Sequence, residues 1–191
     1  MPMHQDISDL LALDTMRLLL TEDSNLDQSW CVKPGSQEII HKIGLADLPW
    51  KEFNKICIDG GEPFIYWEAM WDLLETMPAD KDIWIYTNGL LIEPFMLEML
   101  NSIPEVKGLN IQVYFPEQIR GITPLVDKYM DVRWDIKQID YKHYLQKYHQ
   151  RLGTLLPGSK NFKIWAAGDD ERENELVVSI EDYVFAQGLC F

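Results

Sequence analysis

The stretch Ile58-Asp59-Gly60-Gly61-Glu62-Pro63-Phe64 joins a short apolar run, Lys55 to Ile58, to a helical stripe that begins near Tyr66. An apolar run of that length reads as a buried strand, and the pair of glycines ends it. Gly60 and Gly61 permit backbone conformations closed to other residues and are expected to leave main-chain N–H groups open at the turn. Pro63 removes one donor and limits continuation of the chain in its previous direction. Glu62 is thereby expected in a tight loop at the carboxyl end of a strand, where α/β sheets place their ligands.

One strand further on, Asp82-Ile83-Trp84-Ile85-Tyr86 runs into Thr87-Asn88-Gly89, a second strand closing on a polar turn. In a parallel sheet both turns fall on one rim. The pairing of a Gly-Gly-Glu-Pro loop with a strand ending in Thr-Asn-Gly resembles the radical S-adenosylmethionine (SAM) superfamily. The resemblance implies that Gly60, Gly61, Glu62 and Pro63 form the loop that holds the amino group of SAM, with Thr87 and Asn88 on the same rim. A structural reading stands beside it, in which the glycines serve only the strand–turn–helix geometry.

The same resemblance implies three cysteines spaced CxxxCxxC after the first strand. The matching segment is Ser24-Asn25-Leu26-Asp27-Gln28-Ser29-Trp30-Cys31. Asn25, Leu26 and Trp30 fall in register with the family's frame, but the ligand positions hold Ser24, Gln28 and Cys31. Iron–sulfur clusters are held by thiolates, so no cluster is expected. Glu22, Asp23 and Asp27 offer oxygen atoms that suit a hard cation instead. At the end of the fourth strand the family has a polar Ser-x-Asp pair near the ribose, whereas this chain reads Gln112-Val113-Tyr114-Phe115. Asp135, Gln138 and Asp140 are further polar candidates beside the fifth strand.

The chain of 191 residues is expected to form one domain, with a core barrel at about 16–166 and a C-terminal extension at 167–191. Six apolar runs alternate with helical stripes: Met16 to Leu20, Lys55 to Ile58, Ile83 to Tyr86, Leu109 to Tyr114, Val132 to Ile136 and Phe162 to Ala166. Alternation of that kind argues for an α/β fold of parallel βαβ units. The resemblance narrows it to a partial (β/α)6 barrel, while periodicity alone allows a doubly wound sheet equally well.

Helices are expected over Asp6 to Leu13, Gln37 to Ile43, Tyr66 to Met77, from Pro94 to Ile103, from Thr123-Pro124 to Tyr129, and over Tyr141 to Leu152. Phe115-Pro116 reads as a turn, and Trp67 and Trp71 as part of a core stripe. Leu176-Val177-Val178 is open between an edge strand and a final helix.

Seventeen basic against thirty-one acidic residues give a net charge of −14. That balance argues against binding to nucleic-acid backbones, which takes clustered Lys and Arg. It suits a basic protein partner, and leaves room for a small ligand in one local pocket. No apolar run approaches a membrane span and no leader pattern is present, so a cytoplasmic protein with no membrane role is expected. Cys31, Cys57 and Cys190 are too scattered for a disulfide framework, and Cys57 reads as a small buried hydrophobe. The four histidines form no HxxxH or HExxH pattern, and GxSxG, Walker and GxGxxG motifs are absent.

Three functions follow. The first is a catalytically degenerate radical-SAM-fold protein that binds or regulates. The second is an enzyme that uses SAM or a nucleotide in polar chemistry, with Glu62, Asp59 or a hard metal. The third is an acidic decoy for a basic macromolecule.

Overall fold

The computed structural model describes residues 14–26, 41–42, 44–114, 116–126, 129, 131–137, 162–165 and 175–180. Within these, the strands are β1 (Thr15–Leu19), β2 (His41–Lys42), β3 (Lys55–Asp59), β4 (Asp82–Thr87), β5 (Val106–Val113), β6 (Asp131–Lys137), β7 (Phe162–Trp165) and β8 (Glu175–Ser179). The helices are α1 (Trp67–Thr76), α2 (Pro94–Asn101) and α3 (Pro116–Val126). The strands form one open sheet in the order β2-β8-β1-β3-β4-β5-β6-β7, and every pairing is parallel.

From β1 through β3, β4, β5, β6 and β7 the spatial order follows the chain order. A doubly wound sheet reverses direction at a switch point, and none occurs along this run. The α/β fold is the partial barrel, extended on the other side of β1 by β8 and β2. β8 joins on the other side of β1, in register from Thr15↔Glu175 to Leu19↔Ser179. The tail segment around Leu176 is thus a strand, and it is not at the edge because β2 covers it.

Side chains alternate between the two faces of a strand. One face carries Met16, Leu18, Ile56, Ile58, Ile83, Ile85, Leu109, Ile111 and Val178, and forms the hydrophobic core. Onto it pack Ala69, Met70, Leu73 and Leu74 of α1, Met96, Leu97 and Leu100 of α2, and Ile119, Ile122 and Val126 of α3. The alternate positions form a second, inner face of mixed character, on which Arg17, Cys57, Asp59, Tyr86, Asn110 and Arg133 lie beside Leu19, Trp84 and Val177.

Several local expectations are corrected. Pro116, expected in a turn, opens α3, and Pro124 lies inside that helix instead of starting one. Pro116 suits a first-turn position because its missing N–H would lack a partner there anyway. Pro124 comes close to the helix end, and the Thr123 hydroxyl donates to Ile119 O at 2.8 Å beside it. His41, expected on a helix, lies in β2. Trp71 is half-buried and leans on Trp67 (centroids 5.9 Å apart) outside the core, whereas Ala69 and Leu73 fill the core stripe. α1 ends at Thr76 because Pro78 forces Met77 into an extended conformation (ψ 143°). The expected helices over 6–13 and 141–152 lie outside the described residues, as do Gln28, Cys31, Gln138, Asp140 and Cys190.

Candidate functional site

The three segments singled out from the sequence meet at the carboxyl rim of the sheet. Gly61 N–H donates to Thr21 O and Glu62 N–H to Asp23 O, each at 2.7 Å. These bonds lock the loop after β3 against the segment after β1. Gly60 has φ +134°, and a Cβ there would overlap Thr21 O; a Cβ on Gly61 would overlap Asp23 O. The expectation of open N–H groups is thus corrected for Gly61, whose donor is spent on a neighbouring loop. Close backbone approach accounts for both glycines without a ligand.

Glu62 is fully buried, at 0% exposure. Its Oε1 accepts from Phe64 N–H (3.1 Å) and from the Thr87 hydroxyl (2.7 Å), and its Oε2 accepts from Asn88 N–H (2.8 Å). Pro63 stands at the start of the turn Pro63–Tyr66, and Glu62 caps that turn through Phe64. Pro63 therefore opens a helical turn that leads the chain away from the strand. Burial pushes the Glu62 carboxyl up to about 7, against the opposing pull of Thr87, Asn88 and Phe64.

Thr87 Oγ1 also accepts from Gly89 N–H at 2.8 Å. Asn88 donates through Nδ2 to Asn25 Oδ1 at 2.6 Å, and its Oδ1 accepts from Leu90 N–H at 3.0 Å. The carbonyl of Asn88 accepts from Gln118 Nε2. Gln118, which sequence reasoning missed, also donates to Gln112 O (2.7 Å) and accepts from Tyr114 N–H (2.9 Å). It ties β5 to the rim from α3. Ser24 Oγ accepts from Leu26 N–H at 3.2 Å, closing a local turn. The Tyr66 hydroxyl donates to Asp23 Oδ2. Among the described residues no three His, Cys, Asp or Glu side chains converge on a point where a metal ion would sit.

Below the rim, a buried ion cluster crosses the inner face. Arg17 Nη1 lies 2.5 Å from Asp59 Oδ2, and its Nε and Nη2 reach Glu175 Oε2 and Oε1 at 2.6 and 2.9 Å. Burial works against the Arg17 charge, yet Asp59 and Glu175 overcome it and hold the guanidinium protonated. The guanidinium also sits 4.3 Å from the centre of the Tyr86 ring. Burial pushes the Cys57 thiol up to about 11 and the Tyr86 hydroxyl up to about 12. Cys57 is thus the inert buried side chain its sequence position suggests. Asp59, considered from the sequence for polar chemistry, is paired with Arg17 here.

The Gly-Gly-Glu-Pro loop and the Thr-Asn-Gly turn thus lie on one rim of a parallel sheet whose run from β1 through β3 to β7 follows chain order, the arrangement expected from the resemblance to the radical SAM superfamily. Over 119 residues the chain is 31% identical to a probable GTP 3′,8-cyclase of Methanococcus maripaludis strain C7, and 30% identical to that of strain C5. These matches take in 57% of this chain, which spans 40% of the length of the curated relatives. Among solved structures, Streptococcus suis SuiB bound to S-adenosylmethionine aligns with 81% of this chain and 48% of its own, at 14% identity and a TM-score of 0.47. No family model matches the chain.

Proposed function

We propose that this chain is a binding or regulatory protein on a radical SAM scaffold, and that it does not carry out radical chemistry. The observation behind this reading is the donor set of the loop after β1. A cluster of the family's kind takes three thiolates, and the frame offers the Ser24 hydroxyl, the Gln28 amide and one thiol, Cys31. Ser24 Oγ already accepts Leu26 N–H. These residues do not fit the cluster.

SAM is the ligand that suits the rim best. The Glu62 carboxylate is spent on Phe64, Thr87 and Asn88. An amine would therefore meet main-chain carbonyls of the Gly60-Gly61 turn, and the side chain of Glu62 acts as a brace. A second reading, a nucleotide or SAM enzyme using polar chemistry, draws support from the likeness to proteins named GTP 3′,8-cyclases. A basic protein partner remains the proposal for the acidic surface, given the net charge of −14.

Anaerobic reconstitution with iron and sulfide tests the first reading. The expected result is substoichiometric iron and no charge-transfer absorption in the visible. A stoichiometric cluster overturns it. Titration calorimetry with SAM, S-adenosylhomocysteine and GTP then separates a ligand-binding protein from a bare scaffold.

A further inference from the structure

Where α1 meets α2, the outer surface carries a ladder of aromatic rings that the core uses only in part. Phe64, buried in the loop after β3, stacks on Trp67 with ring centres 5.8 Å apart. Trp67 in turn leans on Trp71, one turn further along α1, and meets Phe95 of α2 edge-on at 6.1 Å. Trp67 packs against the core, whereas Trp71 is half-buried beside it and Phe95 is 45% exposed. Phe95 and Leu90, both in the stretch from the turn after β4 to the first turn of α2, are the only exposed large hydrophobics among the described residues. A phenylalanine left in water forgoes the gain of burying it. Aromatic surface rimmed by polar groups marks a contact site.

The rim here is acidic. Glu68, Asp72 and Glu75 follow one another on α1 at spacings that put them on one face, next to the row of Trp67 and Trp71. All three are exposed, as is Glu93 just ahead of α2. Among the described residues none of these carboxylates makes an ion pair. From Gly60 to Val106 the only basic residue is Lys81, which is buried beside Asp80. Like charges three and four positions apart repel one another on a helix. Glu75 also lies toward the C-terminal end of α1, where the helix dipole disfavours an anion and no basic residue offsets it. These charges work against the helix that carries them and gain only from cations brought to it.

We propose that the α1–α2 surface docks a basic amphipathic helix of a partner protein. Its apolar side chains cover Trp71 and Phe95, and its Lys or Arg side chains pair with Glu68, Asp72 and Glu75. Carboxylates at helical spacing match cations at the same spacing on a facing helix, and the aromatic row supplies the apolar half of the contact. A second copy of this chain would set the same carboxylates against each other, so self-association does not suit the surface. The proposal rests on the reading of a basic partner given above, and adds to it the place and the form of the contact.

The experiment is fluorescence anisotropy of the whole chain with a labelled synthetic peptide of leucine and lysine patterned as an amphipathic helix. A serine–lysine peptide of equal charge is the control. The leucine–lysine peptide should bind, more weakly as salt is raised, and the serine–lysine peptide should bind at least about tenfold more weakly. Phe95→Ser should cost roughly tenfold in affinity, as loss of an aromatic anchor does, without lowering the melting temperature. Glu68→Gln with Asp72→Asn should weaken binding and flatten its salt dependence. Asp47→Asn with Asp131→Asn removes the same charge at exposed positions ahead of β3 and at the start of β6, and should leave binding unchanged. If neither peptide binds, the basic-partner reading falls and the proposal with it. If both bind equally, or if the Phe95 and Glu68–Asp72 variants bind the leucine–lysine peptide as wild type does, a basic partner survives but this surface does not hold it, and the proposal alone is overturned. A wild type that is dimeric by light scattering and a Phe95→Ser variant that is monomeric also overturn it, by giving the surface to a second copy.

Discussion

The main-chain N–H of Asn88 donates to Glu62 Oε2 across 2.8 Å, joining the turn after β4 to the loop after β3 through a carboxylate that solvent does not reach. Thr87 supplies a second donor to the other oxygen at 2.7 Å. The Gly-Gly-Glu-Pro and Thr-Asn-Gly segments are therefore two halves of one hydrogen-bonded unit. Glu62 is its centre, and Asn88 extends it to Asn25 in the loop after β1.

That centre gives a pH signature. Burial raises the Glu62 carboxyl in the fold to about 7 from an ordinary value of 4.5. A carboxyl whose folded value lies above its unfolded one adds stability that is complete below the unfolded value. The contribution is lost as pH rises through the folded value. The window therefore runs from 4.5 to about 7, and the span is worth roughly 3 kcal/mol at about 1.4 kcal/mol per unit. Wild type and Glu62→Gln should be melted side by side across it. The wild type's advantage should shrink as pH rises and level off above neutrality. An advantage that grows with pH would mean the three donors outweigh burial.

Gly61 separates a structural turn from a ligand-binding one. A Cβ at this position overlaps Asp23 O, so Gly61→Ala must push apart two loops joined by the Gly61-to-Thr21 and Glu62-to-Asp23 bonds. Overpacking of this sort costs about 1–3 kcal/mol, and in a chain of this size each kcal/mol moves the melting temperature by roughly 2–4 °C. Differential scanning fluorimetry should show that drop with no ligand present. An unchanged melting temperature together with lost SAM binding would assign the glycines to the ligand.

The rim was legible in the sequence because strand ends were: Gly60-Gly61 and Thr87-Asn88-Gly89 each terminate an apolar run, and parallel pairing puts them together. The inward turn of Glu62 was not read, although an acidic residue just before Pro63 is a helix-start signal. The ion cluster was harder. Arg17 interrupts the apolar run Met16 to Leu20, which marks a buried charge in need of a partner. Its partner Glu175 lies 158 positions away, and only the insertion of β8 beside β1 brings it near. α3 was misplaced because two prolines, Pro116 and Pro124, both qualify as first-turn residues, and only packing of Ile119, Ile122 and Val126 decides between them.

Arg17 makes the third test. Removing it leaves Asp59 and Glu175 without their counter-charge, with Asp59 buried on the inner face. Breaking one side of a buried pair costs about 3–5 kcal/mol, whereas replacing every member with apolar residues of similar size is often neutral. Chemical denaturation should therefore find Arg17→Met strongly destabilised. The triple variant Arg17→Met, Asp59→Leu, Glu175→Leu should recover most of the loss. Equal instability of the single and triple variants would show that the cluster's value lies in shape and not in charge balance.

The loop after β1 offers a test by restoration. Asp23 is tied to the rim through its carbonyl, which accepts Glu62 N–H, and Asn25 through its side chain, which accepts from Asn88. Ser24 is half-buried, and its hydroxyl accepts Leu26 N–H to close a local turn. Ser24→Cys with Gln28→Cys would complete the CxxxCxxC frame with Cys31, at little expected cost to the melting temperature. Reconstituted anaerobically, the double variant should take up iron and sulfide and absorb in the visible, while the wild type stays colourless. The ties at Asp23 and Asn25 motivate this expectation, because they hold the described part of the loop, around Ser24, to the rim. A double variant that folds but stays colourless would show that the loop has departed from cluster-binding geometry as well as from cluster-binding chemistry.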